Sequence, residues 1–289
     1  MKSSFSVSLT KNGRGYIIYL LHYLLYTGRI MELLVKISVC FFAGAGAGIG
    51  TGFAGMSAVA VIGPMLITFL DVPAYIAVGV GLASDVLASA VSAYTYKKNK
   101  NTDIKNGLVM MATVLIFTTV GSYLSSKVSN TAMGSFSVGM TFLLGLRFLF
   151  RPVMTTKEKM QSVSEKQRLV KSVIGGICIG FICGFFGAGG GMMMLLVLTS
   201  FLGYELKCAV GTSVFIMTFT ALTGAVSHFS MGGMPDITVL VLCMVFTFIW
   251  ARIAAKLANK ADTKTLNRVT GTVLVVLSAA VMVFNFIQK

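Results

Sequence analysis

Between residues 33 and 287 the sequence is a succession of about ten apolar segments joined by short polar or glycine-rich loops. A helix needs about 20 apolar residues to cross the hydrocarbon core of a bilayer, and most of these segments approach that length. Charged residues make up only 11% of the chain, against about 25% in soluble domains. The sequence therefore predicts an all-α polytopic membrane protein with about 8 to 10 transmembrane segments.

Two of the segments, 56–70 and 189–202, are short for a full crossing, and glycines join each one to the segment before it. They are predicted to be half-helices or parts of a re-entrant hairpin, and the pattern favours neither form. Irregular backbone at this depth is tolerated only where protein or a water-filled cavity surrounds it.

A basic linker, 151–171, separates residues 31–150 from residues 172–289, and these two parts are predicted to be repeats. When the first part is laid on the second without gaps, a single alignment places five glycines on glycines and Ala77–Gly79 on Ala209–Gly211. We call this alignment the repeat register. The matched glycines are Gly44 and Gly176, Gly48 and Gly180, Gly52 and Gly184, Gly55 and Gly187, and Gly79 and Gly211.

Loop charges predict that the two repeats lie in the membrane in opposite orientations. Each repeat holds an odd number of segments, and the basic linker 151–171 is expected in the cytoplasm. The basic loop 97–105 then also lies inside, whereas its counterpart 231–236, which has no basic residue, lies outside. This pattern is typical of transporters built from inverted repeats.

Residues 1–30 are predicted to be an N-terminal extension or a peripheral helix, and the pattern does not favour a membrane-spanning segment. Their apolar run, Tyr16–Tyr26, is short for a crossing. Met31 could serve as a start as well as Met1, and the sequence leaves the choice open.

Each repeat opens with a series of spaced glycines, which we call a glycine ladder: Gly44, Gly46, Gly48, Gly50, Gly52 and Gly55 in the first, and Gly175, Gly176, Gly180, Gly184, Gly187 and Gly189–Gly191 in the second. The ends of the ladders, near residues 52–57 and 187–191, are poor helix interiors, since each glycine costs about 1 kcal/mol there, and the helix is expected to break at both. A break would expose backbone N–H groups, and the positive end of the next half-helix would attract an anion. The predicted substrate-binding residues lie at and near the two breaks: Gly52, Gly55, Ser57, Ser84, Gly187, Gly189, Gly190, Gly191, Thr212 and Ser213. The alternatives are helix packing for the ladders, plain loops for the breaks, and hydroxyls bonded to their own helix.

Asp85 is an acidic residue placed deep inside a segment, which makes it a candidate for binding a coupling proton. A role in pairing helices is the alternative. No nucleotide-binding motif, metal-ligand cluster or cofactor motif is present, and the basic residues lie in loops, which argues against nucleic-acid binding. The expected partners are a small anion and the lipid bilayer.

An enzyme is not expected, because intramembrane catalysis needs clustered acids, histidines or a metal. The nine acidic residues and two histidines lie mostly in loops or at segment ends. An intramembrane enzyme and a channel remain less favoured alternatives. Saturable, coupled flux would exclude the channel.

Two glycine ladders, each followed by a short apolar segment and an Ala-Val-Gly helix start, resemble the sulfite exporter TauE/SafE family of permeases. The second half is the closer match, through Gly187–Gly191, Ala209–Ser213 and His228 with Gly232. The resemblance implies secondary transport of small sulfur-containing anions, such as sulfite or sulfonates, across the plasma membrane. The first half departs from the pattern: it reads GFAGMSA at its break and carries Asp85 where a basic residue is expected. Transport of another small solute or of a cation, coupled through Asp85, is therefore the alternative.

Overall fold

The computed structural model describes residues 13–125, 139, 142–143, 145–161, 164–186, 190–232 and 234–287, and every regular element within them is a helix. Helices α1 to α4 are Gly13–Ala54, Val59–Leu70, Ala74–Lys98 and Ile104–Ser125. A helical stretch at 145–150 precedes α5, Lys157–Gln161, and α6, Glu165–Phe186. Helix α7, Gly190–Leu196, continues as a π-helix, Val197–Phe201. Helices α8 to α10 are Leu206–Gly232, Ile237–Lys260 and Thr263–Ile287.

Four helices in the described part of the chain are long and apolar enough to span a membrane: Arg29–Ala54, Ala74–Lys98, Leu206–Ser230 and Ile237–Lys260. Helix α2 and the stretch Ile104–Thr118 of α4 are shorter apolar helices. Many large apolar side chains on these helices face outward, among them Ile116, Val226 and Val241. An outer surface of this kind needs lipid around it, which confirms the predicted all-α polytopic membrane fold.

Helix α1 runs through residue 30 without interruption, so the predicted end of the N-terminal extension does not coincide with a helix end. The residues up to Ser38 form a compact unit of their own, and Val39–Lys289 form the other. Within the first unit, the ammonium of Lys36 lies 2.7 Å from the carboxylate of Glu32 one turn earlier. The boundary of the extension stays a prediction.

The two glycine ladders serve helix packing. A methyl group on Gly48 of α1 would stand 2.6 Å from the carbonyl oxygen of Thr247, on α9. A methyl group on Gly180 of α6 would stand 2.6 Å from the carbonyl oxygen of Val114, on α4. Gly44 and Gly52 face α9, and Gly176 faces α4, in the same way. Small residues thus let the backbones of α1 and α9, and of α6 and α4, approach closely.

Contacts between the two halves recur at positions that the repeat register equates. A methyl group on Gly79 would meet the Cβ of His228 at 3.4 Å, and one on Gly211 would meet the Cβ of Tyr96 at 2.8 Å. The repeat register that lays Gly79 on Gly211 also lays Tyr96 on His228. The same pair of positions therefore touches twice, with the halves exchanged.

The two short helical runs end in the same way. Asp71 and Gly203, which the repeat register equates, both have a left-handed backbone, with φ of 50° and 68°. The next N–H donates back to the run in each case: Val72 to Leu66 at 3.3 Å, and Tyr204 to Leu198 at 2.9 Å. Both segments that the sequence marked as short are thus helical runs closed by an equivalent turn.

Candidate functional site

The first break, residues 55–58, lies between α1 and α2. Helix α1 ends at Ala54, and the next residue, Gly55, has a φ of +61°, a left-handed conformation that glycine adopts at low cost. The N–H of Gly55 donates to Thr51, and that of Met56 donates to Gly50 at 3.2 Å, which caps the last turn. Helix α2 starts at Val59, so the break is short and its N–H groups lie beside the start of a helix.

Asp85, on α3, binds to this break. Its carboxylate accepts a hydrogen bond from the hydroxyl of Ser57 at 2.8 Å and another from the hydroxyl of Ser89 at 3.0 Å. The backbone N–H of Ala58, at the start of α2, interacts with the same carboxylate. Asp85 is only 1% exposed. A fully buried carboxylate therefore occupies the positive end of a short helix, where an anion is stabilised.

No cation neutralises Asp85 within the described part of the chain. The ion pairs there join Lys36 with Glu32, Lys105 with Glu165, and Arg168 with Asp103. Three uncharged donors hold the carboxylate instead. An ionisable group in this position is costly in a membrane protein, and such residues commonly carry a function.

The first break lies against the start of α7. A methyl group on Gly191 would stand 2.5 Å from the carbonyl oxygen of Gly55 and 2.6 Å from the sulfur of Met217. A methyl group on Gly55 would collide with the hydroxyl of Ser213, on α8. That hydroxyl is wholly buried and has no hydrogen-bond partner among the residues that the structure describes. Gly55, Ser57, Gly191 and Ser213 are thus brought to one place, with Asp85 beside them.

Three other predicted site residues have partners elsewhere. The carbonyl of Gly52 accepts a hydrogen bond from the Tyr96 hydroxyl at 2.9 Å. The hydroxyl of Ser84 donates to Val80 on its own helix at 2.8 Å. The hydroxyl of Thr212 accepts from the backbone N–H of Asp103 at 3.0 Å.

Gly190 begins α7, while Gly187 and Gly189 lie outside the described residues. At the second break the structure therefore describes only Gly190, Gly191 and the rest of α7.

A polar cluster that the sequence did not reveal surrounds Asp103, in the loop before α4. Its carboxylate accepts from the Tyr204 hydroxyl at 2.9 Å and from the Asn106 amide at 2.8 Å, and lies 3.8 Å from Arg168 of the linker. Burial and the Asp103 carboxylate raise the pKa of Tyr204 above its ordinary value, so the phenol keeps its proton and donates. The cluster ties the 99–103 loop to the starts of α6 and α8.

The Gly211-Thr212 sequence at the start of α8 receives this loop. A side chain at Gly211 would collide with the carbonyl oxygen of Asn101, so only glycine lets the loop pass. The neighbouring Thr212 then binds the loop's backbone through Asp103. Thr212, which the sequence predicts to bind substrate, thus holds a loop in place together with Gly211.

Nothing in the described part of the chain brings together three or more His, Cys, Asp or Glu residues that could hold a metal ion. The groups in that part that could act on a solute are the hydrogen-bond donors at the breaks, which could bind an anion, and the carboxylate of Asp85, which could take up a proton.

The model of the family described as sulfite exporter TauE/SafE matches residues 40–281. The chain is 27% identical to the probable membrane transporter protein YdhB of Bacillus subtilis, over 73% of this chain and 86% of that protein. It is 25% identical to YunE of the same organism, over 80% of this chain and 89% of that protein. A probable membrane transporter of Methanocaldococcus jannaschii is 23% identical over 80% of this chain and 86% of its own length. No solved structure matches the chain significantly.

Proposed function

Because this chain belongs to the sulfite exporter TauE/SafE family, we propose that it is a secondary permease that moves small sulfur-containing anions, such as sulfite or sulfonates, across the plasma membrane. The family and the relatives, which are named probable membrane transporters, support a membrane permease. The family's description supports the sulfur-containing substrate. The structure adds a candidate place for an anion.

The observation that carries the proposal is the meeting of the first break with the start of α7. Gly55 lies against Gly191 and faces the hydroxyl of Ser213, which has no hydrogen-bond partner in the described part of the chain. Helix starts and buried hydroxyls are the groups that bind oxyanions without a fixed positive charge. An oxyanion between the two short runs would accept hydrogen bonds from both halves of the protein.

We further propose that transport follows alternating access, with the two halves as inverted repeats and the basic linker 151–171 in the cytoplasm. The contacts that recur with the halves exchanged support a two-fold relation between them. A site between such repeats can open to either side when one half moves against the other.

A second candidate is transport of a cation or another small solute coupled through Asp85. The observation in its favour is that this buried carboxylate has no cationic partner in the described part of the chain. A transported cation could supply the missing charge. This candidate predicts flux that depends on the cation in the absence of any anion substrate.

The test is uptake into proteoliposomes of the purified protein, with labelled sulfite, sulfate and taurine, in the presence and absence of a proton gradient. Saturable uptake of one of these anions is expected, and empty liposomes provide the background. Sodium and potassium uptake are measured in parallel. Saturable cation flux without any anion flux would favour the second candidate and contradict the first.

A further inference from the structure

We propose that Asp85 is a built-in competitor of the transported anion: its carboxylate occupies the anion site at the start of α2, and an entering anion takes its place when Asp85 binds a proton. The inference rests on the proposed function and adds to it the source of proton coupling. It makes Asp85 part of the binding equilibrium, whereas a helix-pairing role would leave it outside.

The surroundings of Asp85 have the composition of an oxyanion site. The hydroxyls of Ser57 and Ser89 both donate to the carboxylate, and the N–H of Ala58 adds a backbone donor. Helix α2 has 12 residues, so the aligned peptide dipoles of three turns give its start a partial positive charge. The same donors would serve a sulfite or sulfonate oxygen as well as they serve a carboxylate.

The other half lacks this carboxylate at the equivalent position. The repeat register lays Asp85 on Met217 and Ser89 on Ala221. The equivalence holds in space, because Asp85 binds the start of α2 while Met217 touches Gly191 near the start of α7. The start of α2 therefore has the carboxylate of Asp85 beside it, whereas the start of α7 has the apolar thioether of Met217.

The unpartnered hydroxyl of Ser213 is the independent sign of a ligand. It is 0% exposed, faces Gly55, in the same break as Ser57, and has no hydrogen-bond partner within the described ranges of the chain. A buried donor without an acceptor is costly, and its cost is removed when a ligand oxygen accepts from it. The hydroxyls of Ser57 and Ser89 donate to Asp85, whereas no described residue accepts from the hydroxyl of Ser213.

Charged Asp85 and a bound anion would repel each other in a site of low dielectric constant. When Asp85 takes up one proton, its charge is lost, its hold on the serine hydroxyls weakens, and its own O–H can donate to the incoming anion. Binding of the anion and binding of the proton then favour each other, so they travel together. No covalent bond is made or broken apart from the O–H bond of Asp85, and the proton is released when Asp85 returns to the α2 start.

Other titratable or charged groups on the elements around Asp85 are not its partners. Asp71 follows α2, and Tyr75, Tyr94, Tyr96, Lys97 and Lys98 lie on α3. On α8 the groups are Lys207, Cys208 and His228, and on α9 they are Cys243, Arg252, Lys256 and Lys260. Asp85 hydrogen-bonds with Ser57, Ser89 and the Ala58 N–H instead. Proton uptake linked to anion binding is therefore assigned to Asp85.

The experiment counts the protons taken up when the anion binds. The full-length protein, purified in detergent, is titrated calorimetrically with sulfate and with methanesulfonate, whose charges stay constant over the range from about pH 6 to pH 9. Each titration is repeated in two buffers with different enthalpies of protonation, which gives the number of protons bound per anion. The wild type, Asp85→Asn and the control Ser278→Ala are compared. The Ser278 hydroxyl is buried and donates only within its own helix, α10.

We expect the wild type and Ser278→Ala to take up close to one proton per anion at the upper end of this range, with affinity falling up to about tenfold per pH unit there. Asp85→Asn is expected to bind the anions with no proton uptake and with a constant affinity. Binding by the wild type without proton uptake at any pH would overturn the inference and leave the proposed function intact, and this measurement needs no variant to fold. Equal uptake in Asp85→Asn would also overturn it. Failure of the wild type to bind sulfate, sulfite, methanesulfonate or taurine would overturn the proposed function, and the inference with it.

Discussion

Replacing Gly48 by alanine tests whether the glycine ladders are packing elements. The added methyl group would stand 2.6 Å from the carbonyl oxygen of Thr247, 2.7 Å from the N atom of Ala251 and 2.7 Å from the Cβ of Trp250. Two of these are backbone atoms that cannot rotate away. Ordinary contact begins at 3.4 Å. Helices α1 and α9 must therefore separate by roughly 0.8 Å, or their backbones must bend.

The expected cost follows from two opposing terms. Overpacking of this kind costs about 1–3 kcal/mol, and alanine is better than glycine inside a helix by about 0.5–1 kcal/mol. Gly48→Ala should therefore lower the free energy of unfolding by about 1–2 kcal/mol. Gly63→Ala, inside α2, is the control, because a methyl group there meets nothing within 4 Å beyond its chain neighbours. Pro64 follows it and disfavours a helical backbone for a preceding residue that carries a Cβ, which offsets the helix gain, so the free energy of unfolding should stay within about 0.5 kcal/mol of the wild type.

The two variants should differ in melting temperature by about 2–8 °C, measured by fluorescence in detergent on monodisperse protein. Gly180→Ala repeats the test in the second half, since its methyl group would lie 2.6 Å from the carbonyl of Val114. Melting of Gly48→Ala and Gly180→Ala at or above the temperature of Gly63→Ala would contradict a packing role for the ladders. Destabilisation of only one of the two ladder variants would show that the ladders do not have equivalent roles.

Three further changes test the site. Asp85→Asn should abolish the acceleration of anion uptake by a proton gradient in proteoliposomes while uptake down the anion's own gradient persists, and an unchanged response to the gradient would remove Asp85 from coupling. Gly191→Leu should lower the initial rate of uptake by at least about tenfold, because a Cβ at position 191 would stand 2.5 Å from the carbonyl oxygen of Gly55 and the leucine side chain would fill the space there. Normal uptake by this variant would show that transport does not need close contact between the two breaks. Asp103→Ala should lower the free energy of unfolding by about 1–3 kcal/mol, since Tyr204 and Asn106 lose a partly buried charged partner. Glu158→Ala, at an exposed site, should stay within about 0.5 kcal/mol of the wild type, and equal melting of the two variants would contradict the Asp103 cluster.

The short helical runs could be predicted from the sequence because they depend on residue spacing, and the predicted repeat rests on spacing as well. The repeat register matches glycines, and it also matches the contacts of those glycines, since glycine is needed where a backbone must come close. Asp85 could be predicted to be functional for a similar reason, because a carboxylate within an apolar membrane segment is rare. Patterns within one segment, or between two aligned segments, were sufficient for these conclusions.

The Asp103 cluster could not be predicted in this way. Asp103 lies among the lysines of the 97–105 loop and therefore resembles a solvated loop residue, while Tyr204 and Arg168 belong to the second half of the chain. Only the folded chain brings the side chains of Asp103, Tyr204 and Arg168 together, and the loop that carries Asp103 passes close to Gly211. The pairing of Ser57 with Asp85 was missed for the same reason, although both residues were predicted to be functional.

The two halves share packing residues and differ in polar ones. Positions 79 and 211 are both glycine, whereas Gly81 corresponds to Ser213 and Asp85 corresponds to Met217. The first half thus has a carboxylate and no hydroxyl at these two positions, and the second half has a hydroxyl and no carboxylate. Because Ser213 faces the first break and Asp85 binds it, both polar groups act on the same place. Two halves that share packing residues can therefore hold a single asymmetric site: in the proposed mechanism one half supplies the group that titrates and the other supplies a hydroxyl donor for the substrate.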